Sequence, residues 1–395
     1  MKPRRILIFS FAYYPRFVGG AEVAIKEITD RISSETIEFD LICLRLDSRL
    51  PAFERIGNVN IYRVGFSQHK EFSTDSLPWY LHINKYLYLF TGVRKALSLN
   101  RKRHYDAIWS LMATYSSFAA VIFKILKPKI PFIFTLQDGD PIPYIKRKAL
   151  PLYPLFKMMF TRADHIQTIS TYLADWAKDM GAKCPITVVP NAVDFKLFST
   201  KESVEEQNVL KEKLGKKEGD IFVITTSRLV VKNAVNDVID ALQYLPANVR
   251  FIVLGQGYQE KMLKDQCSML ELNDRVKFLG YVPHKEMPKY LHVSDVFIRP
   301  SLSEGFGNSF IEAMAAEIPV IATPVGGITD FLVEGETGLF CDVHSPRSIT
   351  QKIEKLIRDR ESRDYIVARA KKMVQEKYEW NAIVERMQDI FLSIV

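Results

Sequence analysis

The chain is poor in cysteine and contains no apolar run long enough to cross a membrane. Its 395 residues include four widely separated cysteines, Cys43, Cys184, Cys267 and Cys341. There is no Cys-x-x-Cys pair and no histidine at ligand spacing, so the sequence indicates neither a zinc site nor a disulfide framework, and a reducing cytoplasm is the expected compartment. The longest uncharged stretch, residues 107–123, contains several Ser and Thr and is too short for a spanning helix.

The N-terminus also lacks the cleavage site of a secretory signal. Basic residues precede the apolar run Ile6–Ser10, but no small-residue site follows, so we expect this run to be the first buried strand. The composition, 47% hydrophobic and 25% charged, is ordinary for a globular protein. A chain of 395 residues exceeds what one hydrophobic core usually serves, so two domains are expected.

Short apolar runs alternate with helical patterns along the whole chain. In the first half these runs are 6–9, 39–44, 61–64, 107–111, 132–136, 165–169 and 187–189. In the second half they are 221–225, 250–254, 276–278, 296–299, 320–322 and 338–341. Strands that alternate with helices predict parallel sheets covered on both faces, and two such series predict two doubly wound α/β domains. The break between the series lies near residues 190–198.

The segment 299–327, RPSLSEGFGNSFIEAMAAEIPVIATPVGG, contains the most informative pattern. Glu304 precedes the loop Gly305-Phe306-Gly307, and a helix is predicted to open at Asn308-Ser309 with Glu312 in its first turn. The N-terminus of a helix stabilises an anion because its first N–H groups have no intrahelical partner. The carboxylates suit the recognition of sugar hydroxyls, but Ser309-x-x-Glu312 also fits a capping box, in which Glu312 only satisfies the helix start.

This segment resembles the E-x7-E signature of the family 4 retaining glycosyltransferases, with Glu304 and Glu312 as its two carboxylates, followed by Ala-Met-Ala and a downstream Val-Gly-Gly. The resemblance implies a GT-B fold, in which two Rossmann-like domains face a central cleft. It implies an acceptor-side domain of residues 1–195, joined by a C-terminal helix of about residues 381–395 that crosses back to it. Residues 196–380 would form the donor-side domain. Ligands would lie beyond the carboxyl ends of the strands.

Two cations follow the first strand of the second domain, Arg228 and Lys232. A nucleoside-diphosphate leaving group gains negative charge as its bond to the sugar breaks, so fixed cations there stabilise the transition state preferentially. The pair is similar to the family's donor-phosphate Arg and Lys, although the interval is four residues where five is commoner. The alternative is two solvated cations on an exposed loop.

Other glycine loops also follow strands. Gly19-Gly20 is similar to the family's first-domain loop and would let the backbone approach a ligand; Gly255-Gln-Gly257 lacks the rest of a dinucleotide fingerprint and is expected to line the donor pocket. Val282 falls where the family's backbone meets the nucleotide base, and a plain turn is the alternative there.

The loop after the run 132–136 departs from the family. Gln137 stands where many relatives have a histidine, which puts general-base chemistry at this position in doubt. Retaining transfer does not strictly require a general base, because the departing phosphate can take the acceptor proton. Asp138-Gly-Asp140 imitates a metal-binding motif, but we expect no metal and assign Asp138 to the acceptor side.

The net charge of +8 is unevenly distributed. Residues 1–195 contain 27 Lys and Arg against 17 Asp and Glu, whereas residues 196–395 contain 27 against 29. In the first half, cations alternate with bulky apolar residues in the segments 86–103, 124–129 and 144–159. This mixture suits attachment to an anionic membrane surface; the alternative is that the aromatics are core and the cations a solvated face.

Together these features predict an enzyme that moves a hexose-type sugar from a nucleoside-diphosphate sugar to a glycan or lipid-linked acceptor, in the cytoplasm or peripherally on the membrane. Arg228, Lys232 and Glu304 are the expected catalytic residues, with no metal and no cofactor besides the donor. The expected substrate-binding residues are Gly19, Gly20, Asp138, Gly255, Val282, Gly305, Phe306, Gly307, Asn308, Ser309 and Glu312. The rivals are another GT-B enzyme such as an epimerase, a hydrolysing homologue, and a basic protein that binds nucleic acid, although no nucleic-acid-binding motif is present.

Overall fold

Both halves of the chain fold as strands alternating with helices. The computed structural model describes residues 2–16, 19–68 and 79–394. The chain divides into a first unit, which runs to Asn191 and resumes at Trp380, and a second unit, Ala192–Glu379.

The first unit is built on an eight-stranded sheet. Its strands are β1 Arg4–Phe9, β2 Ile37–Leu44, β3 Phe53–Ile56, β4 Val59–Val64, β5 Ala107–Leu111, β6 Phe132–Leu136, β7 His165–Thr168 and β8 Ile186–Val188. They lie in the order β3-β4-β2-β1-β5-β6-β7-β8, and every neighbouring pair is parallel except β3 and β4. β5 and β6 are buried along their whole length, which explains why they appear in the sequence as apolar runs with a single small polar residue each.

Within the described residues, the helices that connect these strands are α1 Gly20–Arg31, α2 Trp79–Arg103, α3 Tyr115–Leu126, α4 Ile142–Ala149, α5 Tyr153–Thr161 and α6 Thr171–Asp179. A local sequence signal sets the start of α6. Ser170 caps α6, because its side-chain oxygen accepts a hydrogen bond from the Leu173 N–H.

The second unit contains a six-stranded sheet in which all neighbouring pairs are parallel, in the order β11-β10-β9-β12-β13-β14. Its strands are β9 Ile221–Thr226, β10 Val249–Leu254, β11 Val276–Gly280, β12 Val296–Arg299, β13 Val320–Ala322 and β14 Leu339–Phe340. Its helices are α7 Phe195–Ser199, α8 Val204–Leu214, α9 Val235–Ala241, α10 Glu260–Met269, α11 Met287–His292, α12 Asn308–Ala315, α13 Pro346–Arg358 and α14 Arg360–Lys377.

The last helix, α15 (Trp380–Ser393), belongs to the first unit. Its Phe391 ring lies 5.8 Å from the Phe39 ring and 5.0 Å from the Trp109 ring, so it is anchored on the first sheet. Two parallel-sheet α/β units and a returning C-terminal helix confirm the predicted fold class. Within the described residues, no helix combines the length and the apolar character that crossing a membrane requires.

Candidate functional site

The predicted donor-side residues of the second unit lie on the loops that follow β9, β10, β11 and β12 and in helix α12. The loop after β9 carries Arg228, which is exposed, and a short 3-10 turn that contains Lys232. The Asn233 side-chain amide donates to the Arg228 carbonyl at 2.6 Å, which fixes this loop internally. The Lys232 carbonyl accepts the Leu302 N–H at 2.7 Å, so the loop is also tied to the segment that carries Glu304.

The loop after β10 packs closely against the loop that carries Arg228. Gly255 has φ +133°, and a Cβ placed on it would lie 1.8 Å from the Ser227 carbonyl oxygen. The Ser227 N–H donates to the Leu254 carbonyl, and the Leu229 N–H to the Gln256 carbonyl, both at 2.9 Å. Gly255 therefore has a structural reason to be glycine: it lets the backbone on either side of Arg228 approach.

Glu304 is held by an arginine that the sequence analysis did not single out. Arg299, the last residue of β12, donates from Nη2 to Glu304 Oε1 at 2.7 Å, and the two side chains are only 9% and 11% exposed. The Arg299 guanidinium also lies 4.4 Å from the centre of the Phe310 ring. The sequence analysis expected the Glu304 carboxylate to be available to a sugar. Oε1 already accepts from Arg299, so Oε2 is the oxygen with more capacity left for a ligand.

The start of α12 combines groups that suit an anion. Gly307 precedes the helix, and the buried Ser309 side-chain oxygen has no hydrogen-bond partner among the described residues. An unsatisfied buried polar atom calls for an explanation, and a ligand at the start of α12 would supply one. The neighbouring Gly305 is buried and Asn308 half-buried, whereas the Phe306 side chain packs 5.1 Å from the Phe331 ring, so of Phe306 only the backbone is suited to a ligand.

Glu312 does not cap the helix, contrary to the capping-box interpretation, and it is not in the first turn as predicted. It is the fifth residue of α12, and its Oε1 bonds to His284 Nε2 at 2.9 Å. His284 follows the predicted base-contact position Val282, whose own side chain is buried. The pattern Glu304-x7-Glu312 therefore corresponds to two carboxylates that are each fixed by one basic side chain.

In the first unit, the predicted Gly19-Gly20 loop forms the start of α1. Gly19 is extended, with φ −122° and ψ −173°, and its N–H donates to Glu22 Oε2 at 2.8 Å. Burial raises the pKa of Glu22, against the lowering effect of the hydrogen bonds from the Glu22 and Gly19 amides. The Gly19 amide is thus already engaged. A Cβ on Gly20 would meet no atom within 4 Å, whereas a Cβ on Gly19 would lie 3.0 Å from Glu22 Oε2, the end of a flexible side chain.

Asp138 follows β6 and is 6% exposed. Its carboxylate accepts the Ala113 N–H at 3.0 Å to Oδ2 and 3.3 Å to Oδ1, which joins the loop after β6 to the loop after β5. Gln137 lines a cavity of about 10 Å³, roughly the room that one water molecule needs, and its buried Nε2 has no hydrogen-bond partner among the described residues.

Two site residues, Arg299 and His284, escaped the sequence analysis. Arg299 could have been found from the sequence, because it is a cation at the end of an otherwise apolar strand, five residues before Glu304. His284 could not, because its partner Glu312 is 28 residues away. Across residues 2–16, 19–68 and 79–394, no three His, Cys, Asp or Glu side chains gather closely enough to hold a metal ion.

The chain matches known glycosyltransferases along nearly its full length. A family model described as Glycosyltransferase Family 4 matches residues 18–197, and one described as Glycosyl transferases group 1 matches residues 206–373. The uncharacterized glycosyltransferase MJ1607 of Methanocaldococcus jannaschii is 25% identical over 392 residues, 98% of this chain and 97% of that protein. The capsular polysaccharide biosynthesis glycosyltransferase CapM of Staphylococcus aureus is 32% identical over 206 residues, 51% of this chain and 52% of that protein.

A solved structure, that of Anabaena Alr3699/HepE in complex with UDP and glucose, has the same fold. It superposes with a TM-score of 0.78 at 20% identity and covers 99% of this chain and 100% of that one. The GT-B fold predicted from the sequence is thereby confirmed.

Proposed function

This chain belongs to glycosyltransferase family 4, and we propose that it moves a hexose-type sugar, with retention of configuration, from a nucleoside-diphosphate sugar to a glycan or lipid-linked acceptor. One observation carries the donor assignment: the start of α12 joins an unsatisfied, buried Ser309 hydroxyl to a helix N-terminus beside two carboxylates. A diphosphate suits the helix N-terminus, and hydroxyl groups of a sugar suit the carboxylates. HepE, whose structure contains UDP and glucose, supports the same ligand class for this chain.

Each donor-side residue then has a distinct task. Arg228 and Lys232 neutralise the diphosphate as it departs, and the amides of residues 306–309 hold its oxygens. Glu304 accepts from the transferred sugar through Oε2, and Glu312 accepts from the ribose hydroxyls. Gly255 and Val282 line the donor pocket beside the phosphates and the base.

On the acceptor side, we assign Asp138, Gly19 and Gly20 to contacts with the acceptor or the transferred sugar. Gln137, an amide, cannot serve as a general base. In the proposed reaction, the acceptor oxygen bonds to the anomeric carbon as the bond to the diphosphate breaks, and the departing phosphate oxygen takes the acceptor proton on the same face. No metal ion is required in this scheme because the two cations carry the charge compensation.

Thermal unfolding with a panel of nucleotide sugars tests the donor. A true donor binds the folded state and not the unfolded chain. At one hundred times its Kd it increases the free energy of unfolding by about 2.7 kcal/mol, and the unfolding midpoint rises. UDP-, GDP- and dTDP-sugars are compared with the free sugars, which we expect to have no effect. If none of the nucleotide sugars shifts the midpoint, the donor assignment is wrong.

Product analysis then separates the proposed reaction from its rivals. With the stabilising donor and a glycan or lipid-linked acceptor, we expect a new glycosidic bond of retained anomeric configuration. An epimerised nucleotide sugar without acceptor would instead show an epimerase, and free sugar in its place would show a hydrolase.

A surface of the first unit, formed by α2 and α4, suits a membrane partner. On α2, the side chains of Ile83, Tyr86, Leu87 and Phe90 are 39–74% exposed and recur at helical spacing on one face. Burial, and after it the positive charge of Lys148 on α4, lowers the pKa of Lys85, so a cation of α2 lies near a cation of α4.

Of the residues that the sequence analysis considered for this surface, some are buried and others are exposed. Tyr88, Phe156 and Met159 are buried and belong to the core, as the alternative interpretation held for them. Leu150 is 63% exposed and Tyr153 37%, so the exposed apolar side chains continue beyond α4. We propose that this surface attaches to anionic lipid, from where a lipid-linked acceptor is reached.

We expect the protein to float with phosphatidylcholine vesicles that contain phosphatidylglycerol, at low salt, and not with phosphatidylcholine alone. Each cation near such a surface adds about 1 kcal/mol, so replacing Lys146, Arg147 and Lys148 with alanine is expected to weaken binding on the order of 100-fold. Phe90→Ser should also weaken it. Met269→Ser, which removes a 77% exposed side chain from the second unit, is the control and should float normally. Equal flotation of all variants would contradict the assignment of this surface.

A further inference from the structure

Glu312 is oriented by a neighbouring loop. A carboxylate only accepts hydrogen bonds, so the proton in the contact with Glu312 Oε1 belongs to His284 Nε2. The Glu312 side chain is 12% exposed and the His284 side chain 53%, so the contact is buried on the Glu312 side. Its second oxygen, Oε2, bonds to no residue that the structure describes.

The His284 ring itself rests on a fixed support. The ring of Phe198, in α7, lies 5.2 Å from it at an interplanar angle of 58°, and Phe198 is fully buried. The Phe198 carbonyl accepts from His292 Nε2 at 2.8 Å, and His292 Nδ1 bonds to Glu202 Oε2 at 2.8 Å. Because the His292 side chain is fully buried, α7 is pinned to α11 by a contact that solvent does not reach.

A glutamate side chain has three rotatable torsions, and fixing one oxygen also fixes where the other lies. A ligand that binds the second oxygen then loses less side-chain freedom on binding. A fixed acceptor also discriminates better against a ligand that lacks the matching hydroxyl. The side chain cannot move to another donor, so the hydrogen bond to that hydroxyl is not replaced.

We propose that His284 is a positioning residue for nucleotide recognition: it holds Glu312 so that Oε2 faces the ribose hydroxyls, and Phe198 holds His284. This inference rests on the proposed function, in which Glu312 binds the ribose. It predicts that selectivity for ribose over deoxyribose depends on His284, although His284 itself does not touch the sugar.

Titration calorimetry with nucleoside diphosphates tests this selectivity. Among UDP, GDP, ADP and CDP, the tightest binder is compared with its 2′-deoxy form. We expect the wild-type protein to prefer the ribose form by about tenfold or more, as the loss of one hydrogen bond to a charged group implies. His284→Ala should reduce this preference to within about threefold, and Glu312→Gln should reduce it similarly.

Two conservative variants separate positioning from a general structural effect. His284→Gln keeps an N–H donor of similar reach and should restore most of the preference, whereas the shorter His284→Asn should behave as His284→Ala. Phe198→Leu should give an intermediate preference. His344→Ala is the matched control, because His344 is also an exposed histidine of the second unit beside a carboxylate, 3.4 Å from Asp237 Oδ2; it should leave the preference unchanged.

The outcomes distinguish this inference from the proposed function. If the wild-type protein binds none of the diphosphates, the donor assignment fails and this inference fails with it. If Glu312→Gln removes the preference while His284→Ala and His284→Asn keep it, Glu312 binds the ribose without help from His284, and only this inference is overturned.

Discussion

Replacing Arg228 with alanine is expected to lower kcat on the order of 10²- to 10³-fold while the protein stays folded. Arg228 is an exposed residue of the loop after β9, so its replacement leaves the hydrophobic core intact. Its proposed partner, the diphosphate, becomes more negative as the bond to the sugar breaks, and the lost stabilisation of about 3–4 kcal/mol therefore falls on the transition state more than on the bound donor. Steady-state kinetics with the identified donor should show a fall in kcat larger than any rise in KM.

Arg358→Ala is the control for the Arg228 substitution. Arg358 is also an exposed arginine of the second unit, with its side chain 75% exposed near Glu354, but it lies on α13. Its replacement should leave kcat within about twofold, since surface substitutions of this kind have small effects. Near-normal transfer by Arg228→Ala would remove Arg228 from the mechanism.

The sheets could be predicted from the sequence because their strands are buried on both faces. Strands such as β5 and β6 are largely apolar runs, and helical patterns separate them, so this alternation predicts that neighbouring strands are parallel. The strand β3 (Phe53–Ile56) was not predicted: it is an antiparallel edge strand that alternates exposed and half-buried residues, and it contains no apolar run.

The candidate site could be predicted only in part. The positions of Glu304 and Glu312 follow from a local motif, but their partners Arg299 and His284 are set by tertiary packing. The start of α12 agrees with the prediction, but the turn of Glu312 was predicted wrongly: Gly307, in a left-handed conformation, is the residue before the helix, and Glu312 is therefore the fifth helical residue. Whether residues of the two units meet at one ligand, as the family resemblance implies, stays a prediction.

The Val325-Gly326-Gly327 motif packs against the backbone of Glu304, and this contact gives the second large prediction. Gly326 has φ +56°, and a Cβ on it would lie 1.9 Å from the Glu304 carbonyl oxygen, while the Gly327 N–H donates to that same oxygen at 3.2 Å. Gly326→Ala must therefore displace the backbone of Glu304, and a displacement of about 1 Å at a catalytic group can cost on the order of 10²-fold in rate.

Gly335→Ala provides the matched control, because Gly335 also has positive φ, +74°, but a Cβ there meets no atom within 4 Å. Both variants carry the strain of a left-handed alanine, about 1–2 kcal/mol, and both should lower the unfolding midpoint. Only Gly326→Ala should also lower kcat, on the order of 100-fold. Glu304→Gln, which keeps the side-chain shape, tests the same carboxylate should Gly326→Ala not fold. If Gly326→Ala matched Gly335→Ala in both kcat and unfolding midpoint, the contact between Gly326 and Glu304 would not position the carboxylate for catalysis.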